Sequence, residues 1–223
     1  MSLDKEKIDL ELGIKVSEYL KTKNVETPKK ENHLTDKEKI GKIKSLFTEV
    51  METLGLDLED DSLRETPDRV AKMFVREIYW GLNPENFPKI TTVENKMGYD
   101  SMVLEKNISV QSNCEHHFIV IEGIAHVAYI PKNKVLGISK INRVVEYFAK
   151  RPQIQERLTE QIFYALEYIL ETSDIAVIVD AKHYCVRARG VEDESSETIT
   201  SKFGGAFRQD INLKKEFLSL IHR

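Results

Sequence analysis

The chain reads as an α+β protein: a helical N-terminal region over 1–98, then a domain over 99–223 with two helices on one face of an antiparallel four-stranded sheet. Three observations predict this. Apolar residues recur at helical spacing through the first 85 or so positions. The period shortens toward that of strands after about residue 100. Two further helical stretches then sit between two pairs of strand-like segments, giving the order strand, strand, helix, helix, strand, strand.

In chain order, Ile8, Leu12, Val16 and Tyr19 give residues 4–22 one apolar face among charges, a predicted helix. The polar stretch 23–34, with Pro28, is a linker. Thr35 with Glu38 forms a capping box that opens a helix carrying Ile40, Ile43, Phe47 and Val50. Thr66-Pro67-Asp68 starts another helix, with Met73, Phe74, Ile78 and Trp80 as its buried side. Residues 118–130 read as a hairpin turning at Glu122-Gly123. Ile138, Ile141, Val145 and Phe148 place a helix over 139–150, with Ser139 as its N-cap. After Pro152 comes a second helix with Ile154, Leu158, Ile162 and Ile169. Residues 174–180 form a strand, and the alternation from His183 to Arg189 suggests another.

Composition is that of a soluble globular protein, 41% hydrophobic and 31% charged. The net charge of −4 gives no general attraction to nucleic acid or to an acidic membrane, so any anion site must be a local cluster of bases. No apolar run approaches the roughly 18 residues of a membrane span. The first residues lack the apolar core of a secretory signal, which points to the cytoplasm. There a disulfide between Cys114 and Cys185 is not expected.

Those two cysteines are the most informative feature. Each has histidine close by, in Cys114-Glu115-His116-His117 and His183-Tyr184-Cys185. Thiolate and imidazole are preferred zinc ligands. Cys114 and His117 have the spacing that lets one turn offer two ligands, and Cys185 could add a third from another strand. Three protein ligands leave a tetrahedral ion one position for water, whose pKa zinc lowers to about 7. A closed structural site would need a fourth ligand, which His116 or His183 could supply on spacing alone. The plainer alternative is two buried thiols beside unrelated histidines, but the repeated pairing favours a metal. His116 and His183 are then spare imidazoles, suited to acid-base work near neutrality. His33, His126 and His222 lack such company and read as linker, strand-face and terminal residues.

Ser139, Lys140 and Arg143 crowd the first turn of a helix, where amide N–H groups already favour an anion. Arg187 and Arg189 would share one face of the strand holding Cys185. No P-loop or dinucleotide glycine motif is present. Gln155 and Glu156 open the second helix; acidic residues there usually answer the dipole, and the sharper reading is an acceptor for the two N–H donors of a guanine edge.

Taken together, these segments resemble the GTP cyclohydrolase I family. The matching blocks are Glu65-Thr66-Pro67-x-Arg69-Val70-Ala71-Lys72-Met73, Cys114-Glu115-His116-His117-Phe118, Gly137-x-Ser139-Lys140-x-x-Arg143, Arg151-Pro152-Gln153-x-Gln155-Glu156-Arg157-Leu158-Thr159 and His183-x-Cys185-x-x-x-Arg189-Gly190. The resemblance runs from about residue 40 to the C-terminus. It implies a T-fold, and a homo-oligomer that is a decamer of two pentamers, with active sites at subunit boundaries. It also implies conversion of GTP and water to 7,8-dihydroneopterin triphosphate and formate, the first step toward folate or tetrahydrobiopterin. By motif, Cys114, His117 and Cys185 correspond to the zinc (Zn2+) ligands, and His116 and His183 to the acid-base pair. Ser139, Lys140, Arg143 and Arg189 correspond to triphosphate contacts, and Gln155 with Glu156 to the guanine anchor. One stretch departs: 192–203 resembles a loop rich in small hydroxyl residues, yet carries Glu194, Glu197 and Lys202.

Overall fold

The computed structural model describes residues 7–222, which divide into two compact units. The smaller, Pro28–Trp80, is helical. Helix α2 (Asp36–Thr53) opens on the predicted capping box: the Thr35 hydroxyl accepts from Glu38 N, while the Glu38 carboxylate accepts from Thr35 N at 2.8 Å. Helix α3 (Thr66–Met73) starts at the predicted proline and runs into a π-helical turn, Phe74–Ile78. Its fully buried residues are Pro67 and Ala71, whereas Met73, Phe74, Ile78 and Trp80 are half-buried.

The larger unit joins residues 7–27 to 81–222. Helix α1 (Leu10–Thr22) begins later than its periodicity suggests, because Asp9 caps it and Ile8 is drawn into a bridge with Pro88. Residues 4–6 of the predicted helix lie outside the described residues. Gly13 sits where a Cβ would stand 2.1 Å from the Pro84 carbonyl, so this helix can approach only as glycine. The tip of α1 reaches the next helical layer through Tyr19, whose hydroxyl donates to Glu167 at 2.7 Å.

The strands are β1 (Thr92–Glu94), β2 (Val103–Cys114), β3 (Val120–Tyr129) and β4 (Lys134–Leu136). Helix α4 (Ile138–Ala149), β5 (Pro152–Gln153), helix α5 (Gln155–Leu170) and β6 (Ile175–His183) follow. Then come α6 (Tyr184–Arg187), β7 (Thr198–Phe203), α7 (Gly205–Gln209) and α8 (Ile211–Ile221). The main sheet has the order β5-β2-β3-β6-β7; its four long strands are antiparallel, and two-residue β5 lies parallel to β2. Short β1 and β4 pair separately. The α+β layout with two helices between strand pairs is therefore present.

Three details differ from the sequence reading. The hairpin turn is at 115–119, not at Glu122-Gly123, which lie inside β3. Gly123 is needed there because a Cβ would meet the Asp180 carbonyl of β6 at 2.1 Å. The fourth strand is Thr198–Phe203, within the stretch expected to be a loop. His183–Arg189 is not a strand: the chain leaves β6 and curls into one helical turn.

Strand alternation makes β6 a two-sided core strand, buried along Ile175–Val179. Ala176 and Ile178, with Ala128 across the ladder, pack on Phe207 and Phe217 of α7 and α8. Those two C-terminal helices were not read from the sequence. The other face of the sheet receives α4 and α5.

A buried ion pair ties residues 25–27 to the start of α5. Arg151, 1% exposed, donates to the Gly81 carbonyl, Glu26 and Thr27, and stacks on Tyr147 and Phe148. Ser17 donates to the same Glu26 carboxylate. Removing one member of a buried pair costs about 3–5 kcal/mol. Arg151→Met is expected to lose that much in a urea unfolding titration, and adding Glu26→Gln to recover part of it.

Candidate metal centre and surrounding site

The site forms where β2, β3 and β6 meet at one end of the sheet. Cys114 is the last residue of β2 and is buried. The chain reverses tightly beyond it: Phe118 N donates to the Cys114 carbonyl and Cys114 N to Ile119 O, both at 2.8 Å. Phe118 holds φ 54 in this turn, a left-handed conformation without glycine. The tightness brings His117 back to its own cysteine, with Nδ1 3.9 Å from the sulfur.

Cys185 arrives from the other side of β3. In the β3–β6 ladder Ile121 faces His183, and α6 starts at the next residue. Cysteines leaving strands two spacings apart begin about 10 Å from each other. The curl of α6 closes that gap, which an extended 183–189 strand would not do. The donor atoms of Cys114, His117 and Cys185 all lie within 4.8 Å of one another. Around one tetrahedral ion, with bonds of about 2.0–2.3 Å, they would sit slightly closer.

The donor set fits zinc: two soft thiols and one imidazole. Both cysteines are free. Burial pushes the half-buried Cys185 thiol up, and the neighbouring Cys114 adds to that shift. His116 is exposed and points Nδ1 at the same sulfur from 3.6 Å, with its other ring nitrogen 4.0 Å from Glu115.

The ligand turn is anchored to α5. Arg157 donates to the Glu115 carboxylate from a largely buried position, and Glu115 N donates to the Gln153 carbonyl at 3.0 Å. Partners that hold a ligand segment typically carry about 10–100-fold in metal affinity. Arg157→Ala is expected to weaken zinc binding by that factor in a competition titration with a chelating dye, while a remote exposed change such as Lys44→Ala leaves it unaltered.

His183, half-buried at the end of β6, places Nε2 2.8 Å from Gln155 Oε1. Burial pulls its pKa down, and the charge of nearby Glu156 opposes that in part. Gln155 and Glu156, expected to work together, part company here. Gln155 is 1% exposed, with its side chain wholly occupied inside the fold, whereas Glu156 is exposed in the first turn of α5.

Gly137, not Ser139, caps α4, and no side chain caps that end. Ser139 is exposed in the first turn, with Lys140 and Arg143 half-buried beside it. The Lys140 ammonium is held below its usual range by burial and by the neighbouring cations Arg143 and Lys89. The first turn of α4 contains no acidic residue, so its amides and these bases form one positive cluster. Lys89 was not singled out from the sequence, and nothing in its spacing would have done so. Arg189 is exposed in the loop after α6, just before Gly190 at φ 67. Arg187 stacks on Tyr184 within α6, so the two arginines do not share a strand face as expected. His33 and His222 are exposed at linker and C-terminal positions; His126 is buried in β3 and accepts from Asn107 N.

The chain matches the family model described as GTP cyclohydrolase I over residues 43–222. A protein named GTP cyclohydrolase 1 from Aeromonas hydrophila is 52% identical over 204 residues, covering 92% of this chain and 94% of that one. A protein of the same name from Mannheimia succiniciproducens is 53% identical over 209 residues, covering 94% and 96%. One from Yersinia enterocolitica is 52% identical over 206 residues, covering 92% and 94%. With the Cys-His-Cys cluster lying inside the matched span, the chain belongs to the GTP cyclohydrolase I family and is a hydrolase of that kind.

Proposed function

We propose that this chain is a zinc-dependent enzyme that converts GTP and water to 7,8-dihydroneopterin triphosphate and formate, at the entry to folate or tetrahydrobiopterin synthesis. The observation that carries this reading is the convergence of Cys114, His117 and Cys185, with His116 Nδ1 also 3.6 Å from the Cys114 sulfur and His183 two residues before Cys185. Zinc held by those three residues would supply Lewis-acid activation of water at neutral pH.

The protein's own residues do the rest. Carbon 8 of the purine is electron-poor between two nitrogens, and protonation at N7 makes it more so. His116 and His183 supply and remove the protons needed as the imidazole ring opens, carbon 8 leaves as formate and the ribose recloses onto the pyrimidine. Glu156, exposed at the start of α5, suits the N1–H and 2-amino donors of guanine. Ser139, Lys140 and Arg143, at the end of α4 that no side chain caps, suit a phosphate group, and Arg189 adds a further cation from its loop.

The catalytic part is 99–223; of the residues before it, 7–27 and 81–98 share its compact unit, while 28–80 form the separate helical one. Following the family resemblance, the working form is a homo-oligomer, a decamer of two pentamers, with no nucleic acid or membrane partner. No helix among the described residues is long and apolar enough to cross a membrane. Two free cysteines suit a reducing cytoplasm.

Purified protein incubated with GTP is expected to release formate and a dihydropterin absorbing in the ultraviolet. A strong chelator should abolish both and added zinc restore them. Turnover that survives removal of all metal would refute zinc dependence, and no formate from zinc-loaded protein would refute the reaction.

A further inference from the structure

Gln155 sits under His183 with every polar atom of its side chain engaged. Its amide nitrogen donates to two backbone carbonyls, Val179 O at 3.0 Å and Thr198 O at 2.7 Å. Both are acceptors only, so neither could receive the amide oxygen in its place, and the orientation of the amide is forced. Its oxygen therefore faces His183 Nε2 at 2.8 Å, and an oxygen can only accept. Nε2 must carry the hydrogen. This holds whether the ring is neutral or charged, because a neutral imidazole must then place its one hydrogen on Nε2 and an imidazolium carries hydrogen on both nitrogens.

We propose that Gln155 is a positioning residue that fixes His183 as the Nε2–H tautomer, leaving Nδ1 as the nitrogen that exchanges protons with the substrate. This rests on the reaction proposed above. The arrangement is built into the sheet. Gln155 opens α5, His183 closes β6, and the two anchoring carbonyls belong to β6 and β7. One side chain thus ties helix and sheet together under the imidazole. At 1% exposure it has no polar atom left over for a guanine edge. That role falls to Glu156 alone among the adjacent pair.

Two experiments test it on the zinc-loaded protein. Neutron diffraction of deuterated wild-type crystals should find deuterium on His183 Nε2, pointing at Gln155. Density on Nδ1 with none on Nε2 would overturn the proposal whatever any variant does. Gln155→Met, close in volume but without an acceptor, should lower kcat about 100-fold with KM for GTP within about two-fold of wild type and zinc content unchanged. A role in holding guanine predicts the reverse, a raised KM with kcat kept, and that result would also overturn it. Should wild-type protein make no dihydropterin from GTP, the proposed reaction fails while the tautomer assignment is still decided by the neutron map.

Discussion

Cys185→Ala and Cys114→Ala are each expected to lose bound zinc and to cut turnover of GTP by about 1,000-fold or more, with the fold retained. Lewis-acid stabilisation is worth several kcal/mol, and each 1.36 kcal/mol is tenfold in rate. The two cysteines have different surroundings, which makes the comparison informative. Cys114 is buried at the end of β2, where truncation also leaves a small cavity. Cys185 is half-buried on the α6 turn, so its truncation disturbs packing little. Metal content by atomic emission and stability by circular dichroism separate the two effects. A Cys185→Ala protein that retains stoichiometric zinc and full activity would remove Cys185 from the ligand set.

His183→Gln is the second large effect: kcat should fall by about 100- to 10,000-fold, the usual contribution of a positioned acid-base group, with zinc retained. Glutamine keeps a hydrogen-bonding end near Gln155 but cannot pass a proton. His33→Gln, at an exposed linker position, should change nothing. If His183→Gln loses zinc in proportion to activity, His183 is a ligand and the centre is closed by a fourth side chain.

Most local signals in the sequence were legible where they were self-contained, the N-cap of α4 excepted, which lies at Gly137 and not at Ser139. The Thr35–Glu38 capping box, the proline start of α3 and the apolar spacing of α4 and α5 depend on neighbours a few residues away, and each was found where expected. The errors came from tertiary causes. Gly123 looked like a turn residue, but it serves the close approach of β6. The real turn has no glycine and relies on Phe118 in a left-handed conformation. His183 to Arg189 alternates as a strand would, yet α6 forms there and carries Cys185 toward Cys114.

The grouping of Cys114, His117 and Cys185 was legible because residue type and spacing already encode metal chemistry. What the spacing could not reveal was the layer beneath. The Arg157–Glu115 clamp, the Arg151–Glu26 pair and the use of Gln155 all link segments between 24 and 125 positions apart. No local pattern marks a polar residue as buried.

The proposed chemistry needs one ion held by three side chains with room for water at the fourth position. X-ray absorption at the zinc edge, on protein of measured metal content, tests it most directly. One zinc per chain bound by two sulfurs and one imidazole nitrogen, with a single light atom completing the shell, is the predicted result. Full activity without metal, or a shell of two sulfurs and two imidazoles in active protein, would contradict it.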